Sequence, residues 1–177
     1  MEWKILQSDY VLNTKWLAVR KDKVRMPSGV VMDDYYVLEY PDWVNVIAIT
    51  KEEKFIVERQ YRHGAQSVVY ELCAGTLEKG EEPLTGAKRE LLEETGYAGS
   101  EWELFCVSAP NSAAMTNDCY SFIARGVEFT GERHLEQTEE IDILLLSYEE
   151  LKDMVKAGGI KEGQMLSALW KYIAENQ

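Results

Sequence analysis

Four carboxylates and one guanidinium in this chain are spaced as a cation site would require. Residues 75–97 carry Glu81, Arg89, Glu90, Glu93 and Glu94 in one stretch, framed by Pro83 near its start and Gly96 close to its end. Proline at a first turn and glycine past a last turn predict a helix between them. At 100° per residue, Arg89, Glu90, Glu93 and Glu94 share an arc of about 140°. Leu84, Ala87, Leu91 and Leu92 fill the opposite side, which the spacing directs into a core. Glu90 and Glu94 are i,i+4 neighbours, and like charges so placed cost an isolated helix a few tenths of a kcal/mol. Helix formation alone does not call for that arrangement. One reading is a solvated acidic face with Arg89 and Glu93 as an ordinary ion pair. The other is a site for a hard divalent cation, because Mg2+ takes oxygen ligands, keeps several waters and adds substrate phosphate oxygens to one or two carboxylates. The glycine-containing lead-in favours the second reading by bringing backbone carbonyls near the same pole.

The elements that must hold this helix can be read around it. Residues 14–25 and 30–40 are rich in strand formers and flank the turn Met26-Pro27-Ser28-Gly29, predicting an N-terminal hairpin. Pro41-Asp42 breaks the chain before the main body. Strands are predicted over 44–50, 55–61, 68–72, 102–108, 119–125 and 141–147, and two closing helices over 148–156 and 164–174, separated by Gly158-Gly159. Leu166 and Trp170 fall on the packing face of the last helix. Strands, one interrupting helix, more strands and closing helices make an α/β fold with a mixed sheet rather than a regular parallel βαβ series.

The 177 residues fit one compact unit with a small appendage. Apolar residues at 46% and charged residues at 28% exclude global disorder. With 19 Lys+Arg against 31 Asp+Glu, the net charge of −12 argues against a duplex nucleic-acid binder, which needs a basic surface to displace counterions. It argues equally against attraction to an anionic membrane. No apolar run reaches membrane-spanning length. Charges at Glu2, Lys4 and Asp9 stand where a signal peptide would be apolar. Cys73, Cys106 and Cys119 are odd in number, without zinc-type spacing, and read as buried thiols in a reducing compartment. The expectation is a cytoplasmic protein.

Residues 75–97 resemble the signature of the Nudix hydrolases: Gly, five residues, Glu, seven residues, then Arg-Glu, aliphatic, any, Glu-Glu, any, Gly, aliphatic. Gly75, Glu81, Arg89, Glu90, Leu91, Glu93, Glu94 and Gly96 stand at those spacings, and Tyr97 alone departs, at a packing position. The resemblance implies a Nudix-type α/β/α sandwich with a mixed sheet in residues 43–177. Residues 1–42 would be a β-rich appendage for dimerisation and substrate binding. It implies Glu90 and Glu94 as principal metal ligands, Glu93 completing the cluster or orienting Arg89, Glu81 touching a metal through water, and the Ala74 carbonyl as a backbone ligand. Two or three Mg2+ ions, or Mn2+ in their place, would clamp a pyrophosphate and activate the attacking water.

Residues outside the box point to a branch. Arg59-Gln60-Tyr61-Arg62 resembles the Gln-Tyr-Arg segment of ADP-ribose and nucleotide-sugar pyrophosphatases, with Arg62 on phosphate. Glu71-Leu72-Cys73-Ala74-Gly75 resembles their Glu-Leu-Pro-Ala-Gly lead-in, with Cys73 replacing proline. Pro110 and Asn111 lie in a loop similar to the substrate loop of nucleotide-sugar hydrolases. The general base in such enzymes comes from an acidic loop after the box; Glu140 matches that position best, then Glu139, with Glu132 and Glu136 also in the loop. Trp16, Tyr35, Tyr36 and Trp43 could stack on a base or pack internally. His63 and His134 read as polar surface residues. The implied activity is hydrolysis of a nucleoside diphosphate sugar or ADP-ribose to a nucleoside monophosphate and a sugar phosphate, by a homodimer. Alternatives are another Nudix substrate, such as a dinucleoside polyphosphate or modified nucleotide, or a non-catalytic nucleotide-sugar sensor.

Overall fold

The computed structural model describes residues 1–177 except Trp16, Glu132, Glu136, Glu139 and Gln177. The chain divides into two compact units, one of Met1–Pro41 with Ala109–Asp118 and one of Asp42–Ser108 with Cys119–Gln177. In the first, β1 (Lys4–Asn13), β2 (Ala18–Arg25) and β3 (Val31–Glu39) form an antiparallel meander, one strand more than the expected hairpin. Its strands are tied by polar pairs: Ser8 Oγ donates to Asp22 (2.6 Å), and Arg20 bridges Asp22 and Glu39. Leu38 bridges Met115, which stitches the segment Ala109–Asp118 to β3.

The second unit is built on an eight-stranded mixed sheet. Its central strand, β4 (Trp43–Thr50), runs parallel to β10 (Cys119–Phe129) and antiparallel to β5 (Phe55–Arg62) and β7 (Cys73–Thr76). β6 (Ser67–Glu71) and β11 (Ile141–Leu146) pair with β5, while β8 (Tyr97–Ala98) and β9 (Glu101–Ser108) pair with β10. β4 is buried along nearly its whole length, so its alternation sends side chains to two cores. Ile47 and Ile49 pack with α2 (Tyr148–Lys156) and α3 (Gly163–Glu175); Val44, Val46 and Ala48 pack with α1 (Pro83–Glu90). Helices on both faces of the sheet make an α/β/α sandwich.

α2 keeps a complete capping box, in which Ser147 accepts from the Glu150 amide and Glu150 accepts from the Ser147 amide. Two expected packing residues are exposed instead: Leu84 at the start of α1 and Trp170 on α3. In each case the helix presents a narrower apolar face to the sheet than the wheel predicts. No helix among the described residues is long and apolar enough to cross a membrane.

Candidate functional site

Pro83 opens α1 at its first turn, but the helix does not run uniformly to Gly96. Leu91–Thr95 form a π-helical turn closed by Gly96 at φ +75°, with Thr95 Oγ bonded back to the Leu91 carbonyl. The wider turn takes the carboxylates out of equivalence. Glu94 turns inward and is buried, whereas the Glu93 side chain remains 42% exposed. A regular wheel places them side by side on one face; the π-turn separates them.

Arg89 is the hub. Its Nε and one terminal nitrogen grip the two oxygens of Glu81 (3.0 and 2.9 Å), and the other nitrogen reaches Glu90 (2.8 Å) and Glu93 (3.1 Å). A further bond to the Thr76 carbonyl (3.2 Å) fastens the fork to β7. A planar guanidinium with five donors suits such multiple engagement; a lysine would not. The arrangement holds the Glu81 carboxyl below the usual carboxylate range, chiefly through its bonds to Arg89, with the Glu78 amide adding to the effect.

β7 pairs with β4 in the register Val46 to Cys73 through Trp43 to Thr76, which brings Ala74 and Gly75 under the helix. The Ala74 amide donates to Glu94 Oε2 (3.1 Å). Gly75 lies so close to Glu90 that a Cβ there would sit 2.1 Å from the carboxyl carbon. Glu90 and Glu94 therefore converge on the Ala74–Gly75 peptide, and the Gly75 position has no room for a side chain.

Beneath them lies a residue the sequence reading passed over. Glu58 of β5 is 1% exposed and stands beside Glu94 and Cys73. The signal was present in the period of two: Glu58 alternates with Ile56 and Gln60, all three buried. Burial, followed by the nearby Glu94 and Glu71 carboxylates, pushes the Glu58 carboxyl well above its ordinary range. The Cys73 thiol is pushed up by burial, then by the Glu94 and Glu58 carboxylates.

Beside the box opens a cleft of about 730 Å³, lined by Trp43, Arg62, Tyr70, Glu71, Ala74–Thr76, Lys161 and Glu162 just before α3, and Gln164 and Met165 in its first turn. Its volume suits a nucleotide-sized ligand. Arg62 and Glu71 are paired (2.8 Å), and Gln60 also donates to Glu71 (3.1 Å). Trp43 and His63 line the same cleft. Pro110 and Asn111 belong to the first unit, where the Asn111 carbonyl accepts from Ala114 and Met115 (3.0 and 2.8 Å); Tyr35 and Tyr36 belong there too.

The acidic loop after β10 is tied to the end of the box helix. Thr130 N donates to the Gly96 carbonyl (2.8 Å), His134 N to the Glu93 carbonyl (3.0 Å), and Arg133 to the carbonyls of Glu94 and Ile141 (both 2.6 Å). Arg133 was not anticipated, because nothing in a lone arginine signals main-chain acceptors. Glu140 is exposed and borders a shallow recess with Gln60, Tyr61, Gln137 and Thr138. Glu132, Glu136 and Glu139, like Trp16, lie outside the described residues.

Helix-end carboxylates gathered over a glycine-bearing strand, beside a cleft with Arg62 and Lys161 in its wall, can hold a hard divalent cation next to a phosphate-bearing ligand. Residues 40–168 match the family model of the NUDIX domain, and residues 3–38 match the nucleoside diphosphate sugar hydrolase N-terminal domain. The chain belongs to the Nudix family and is a Nudix hydrolase. It is 28% identical to the methanol dehydrogenase activator of Bacillus methanolicus over 169 residues, covering 95% of this chain and 91% of the relative. To the ADP-ribose pyrophosphatase of Bacillus subtilis (strain 168) it is 26% identical over 170 residues, covering 96% and 91%. To the GDP-mannose pyrophosphatase of Enterobacter sp. (strain 638) it is 25% identical over 176 residues, covering 91% and 90%. Among solved structures, the crystal structure of an ADP compounds hydrolase superposes with a TM-score of 0.83 at 19% identity, over 96% of this chain and 91% of that one, and shares its fold.

Proposed function

We propose that this chain hydrolyses the pyrophosphate bond of a nucleoside diphosphate linked to a sugar, ADP-ribose or an NDP-sugar, giving a nucleoside monophosphate and a sugar phosphate. The observation that carries this reading is the convergence of Glu90 and Glu94 on the Ala74–Gly75 peptide, beside a cleft whose wall holds Arg62. The pyrophosphatases among the relatives, and the match of residues 3–38, support this substrate class.

The donor set fits hard divalent ions: carboxylate oxygens of Glu90, Glu94 and Glu93, the Ala74 carbonyl, and Glu81 through water. Two or three Mg2+ ions, or Mn2+ in their place, would when bound there neutralise charge on the pyrophosphate and lower the pKa of the attacking water. Arg89 holds Glu81, Glu90 and Glu93 in register, so the ligands are pre-positioned. Arg62 is the phosphate contact in this reading, and Glu71 fixes its guanidinium by a paired contact. Trp43 and Tyr70 offer aromatic faces in the cleft for a base. Glu140 or Glu139 takes the proton of the attacking water as general base.

A homodimer is proposed as the working assembly, supported by the exposed apolar residues Tyr10, Val11 and Leu12 on β1. A reducing cytoplasm fits the three free thiols, and the net charge of −12 fits a protein without duplex nucleic acid as partner. The test is a panel of nucleoside diphosphate sugars and ADP-ribose with Mg2+, following monophosphate release by chromatography. At least one should turn over; a panel with no turnover refutes the substrate class.

A further inference from the structure

Three acidic groups of this chain meet below the box, and the signature accounts for only one of them. Glu58 enters from β5, Cys73 from the first residue of β7 and Glu94 from the π-turn. One donor atom of each lies within 4.8 Å of the others. All three residues are buried, and Cys73 is a free thiol. Glu58 Oε1 is shut off from water and has no hydrogen-bond partner among the described residues. Cys73 packs in an apolar core with Val46, Ile56, Ala87 and Leu91, while Glu58 has the side chains of Glu94, Glu71 and Arg62 near it. A buried carboxylate oxygen without a donor needs either a proton shared with a neighbour or a cation.

We propose that Glu58, Cys73 and Glu94 form a buried site for a thiophilic divalent cation of the Zn2+ class. The donor set decides the class. Mg2+ takes oxygen ligands in octahedral geometry, whereas two carboxylates with one thiolate suit a borderline ion that accepts tetrahedral coordination. With metal–oxygen and metal–sulfur distances of about 2.1 and 2.3 Å, tetrahedral donors lie roughly 3.5 Å apart. A cluster spanning at most 4.8 Å needs a closure of at most about 1.3 Å at its widest pair. Binding breaks the Cys73 S–H bond and displaces the proton held by Glu58, forms the metal–sulfur and metal–oxygen bonds and releases both protons to solvent, with no change of oxidation state. Glu94 serves both this ion and the set that binds pyrophosphate, so the inference rests on the metal assignment of Glu94 above.

The test is a titration of the metal-free full chain with Co2+, which reports sulfur ligation through a thiolate-to-metal charge-transfer band in the near ultraviolet. The wild type should show this band at one equivalent, and Zn2+ should abolish it by displacement. Cys73→Ala should lose the band, Cys119→Ala should keep it, and Glu58→Gln should weaken Co2+ affinity about tenfold or more. X-ray absorption on the Zn2+-loaded wild type, which needs no variant, should show one sulfur neighbour at about 2.3 Å. No band and no sulfur neighbour in the wild type, or a band that survives Cys73→Ala, overturns the site in favour of a proton shared by Glu58 and Glu94. Mg2+-supported turnover of the same wild-type preparation separates the two readings. Turnover without the band overturns this site and leaves the proposed function; the band without turnover of any panel substrate does the reverse.

Discussion

Replacing Gly75 by alanine should separate chemistry from stability. The added Cβ would stand 2.1 Å from the Glu90 carboxyl carbon and from Oε1, and 2.5 Å from Oε2. Carbon–carbon contact is comfortable at about 3.5–4.0 Å, so the carboxylate must retreat by roughly 1.5 Å. What moves is the end of a flexible side chain, not backbone, and Gly75 lies outside the positive-φ glycines, so alanine fits the main chain. An off-rotamer side chain costs about 0.5–1.5 kcal/mol, and the loss of a partly exposed ion pair up to about 1 kcal/mol. The reduced entropy of the unfolded chain returns about 0.4–1 kcal/mol. A net loss near 1 kcal/mol corresponds to a Tm lower by about 2–4 °C for a domain of this size. Misplacing a catalytic group by about 1 Å can cost 10²-fold, so kcat should fall by about two orders of magnitude or more. Differential scanning calorimetry and steady-state kinetics at saturating Mg2+ measure the two quantities. Turnover within about threefold of wild type would refute the assignment of Glu90, because a misplacement above 1 Å predicts a much larger loss.

Other substitutions probe the remaining parts. Glu94→Gln keeps the shape and the acceptor for the Ala74 amide but loses the charge; kcat should drop by about 10²-fold or more, as loss of a transition-state electrostatic contact does, with near-wild-type circular dichroism. Arg89→Lys cannot grip Glu81, Glu90 and Glu93 together, and should lower both kcat and stability, the latter by about 1–3 kcal/mol read from urea unfolding. Arg62→Ala should raise KM more than it lowers kcat if the guanidinium binds phosphate; an unchanged KM would remove it from the substrate site. Glu58 has a raised carboxyl pKa, so its contribution to stability is full below the ordinary carboxylate range and is lost as pH rises toward the raised value. Metal-free protein should therefore lose stability from acid toward neutral pH through this group, and Glu58→Gln should flatten that slope in thermal melts across pH. Glu81 acts oppositely: its lowered pKa gives stability above the ordinary range that is lost on acidification.

The box was legible because its chemistry fixes residue types at set intervals, and the helix that carries it announces itself by Pro83 and Gly96. The π-turn was not legible. Leu91–Thr95 has no residue that forbids a regular turn, so a uniform wheel equalised Glu93 and Glu94, which the fold treats differently. β1 escaped because its residues are exposed along almost the whole strand, leaving no alternation to read. β7 escaped because Cys73–Thr76 has weak strand propensity and is held extended by its pairing with β4. Glu58 was hidden by its type, since a glutamate is read as solvated until the period of two is followed through it. The cleft joins side chains from Trp43 to Met165, a separation along the chain that no local pattern spans.

The bonds that moor the acidic loop use main-chain oxygens of Glu93, Glu94, Gly96 and Ile141, not their side chains. Main-chain acceptors are blind to what the residue carries. A substitution at Glu93 or Glu94 that removes a proposed metal ligand therefore leaves these loop bonds in place, so lost turnover there does not mean a lost loop. The segment that carries the proposed general base is thus held at the end of the box helix by contacts that do not depend on the side chains proposed to bind metal.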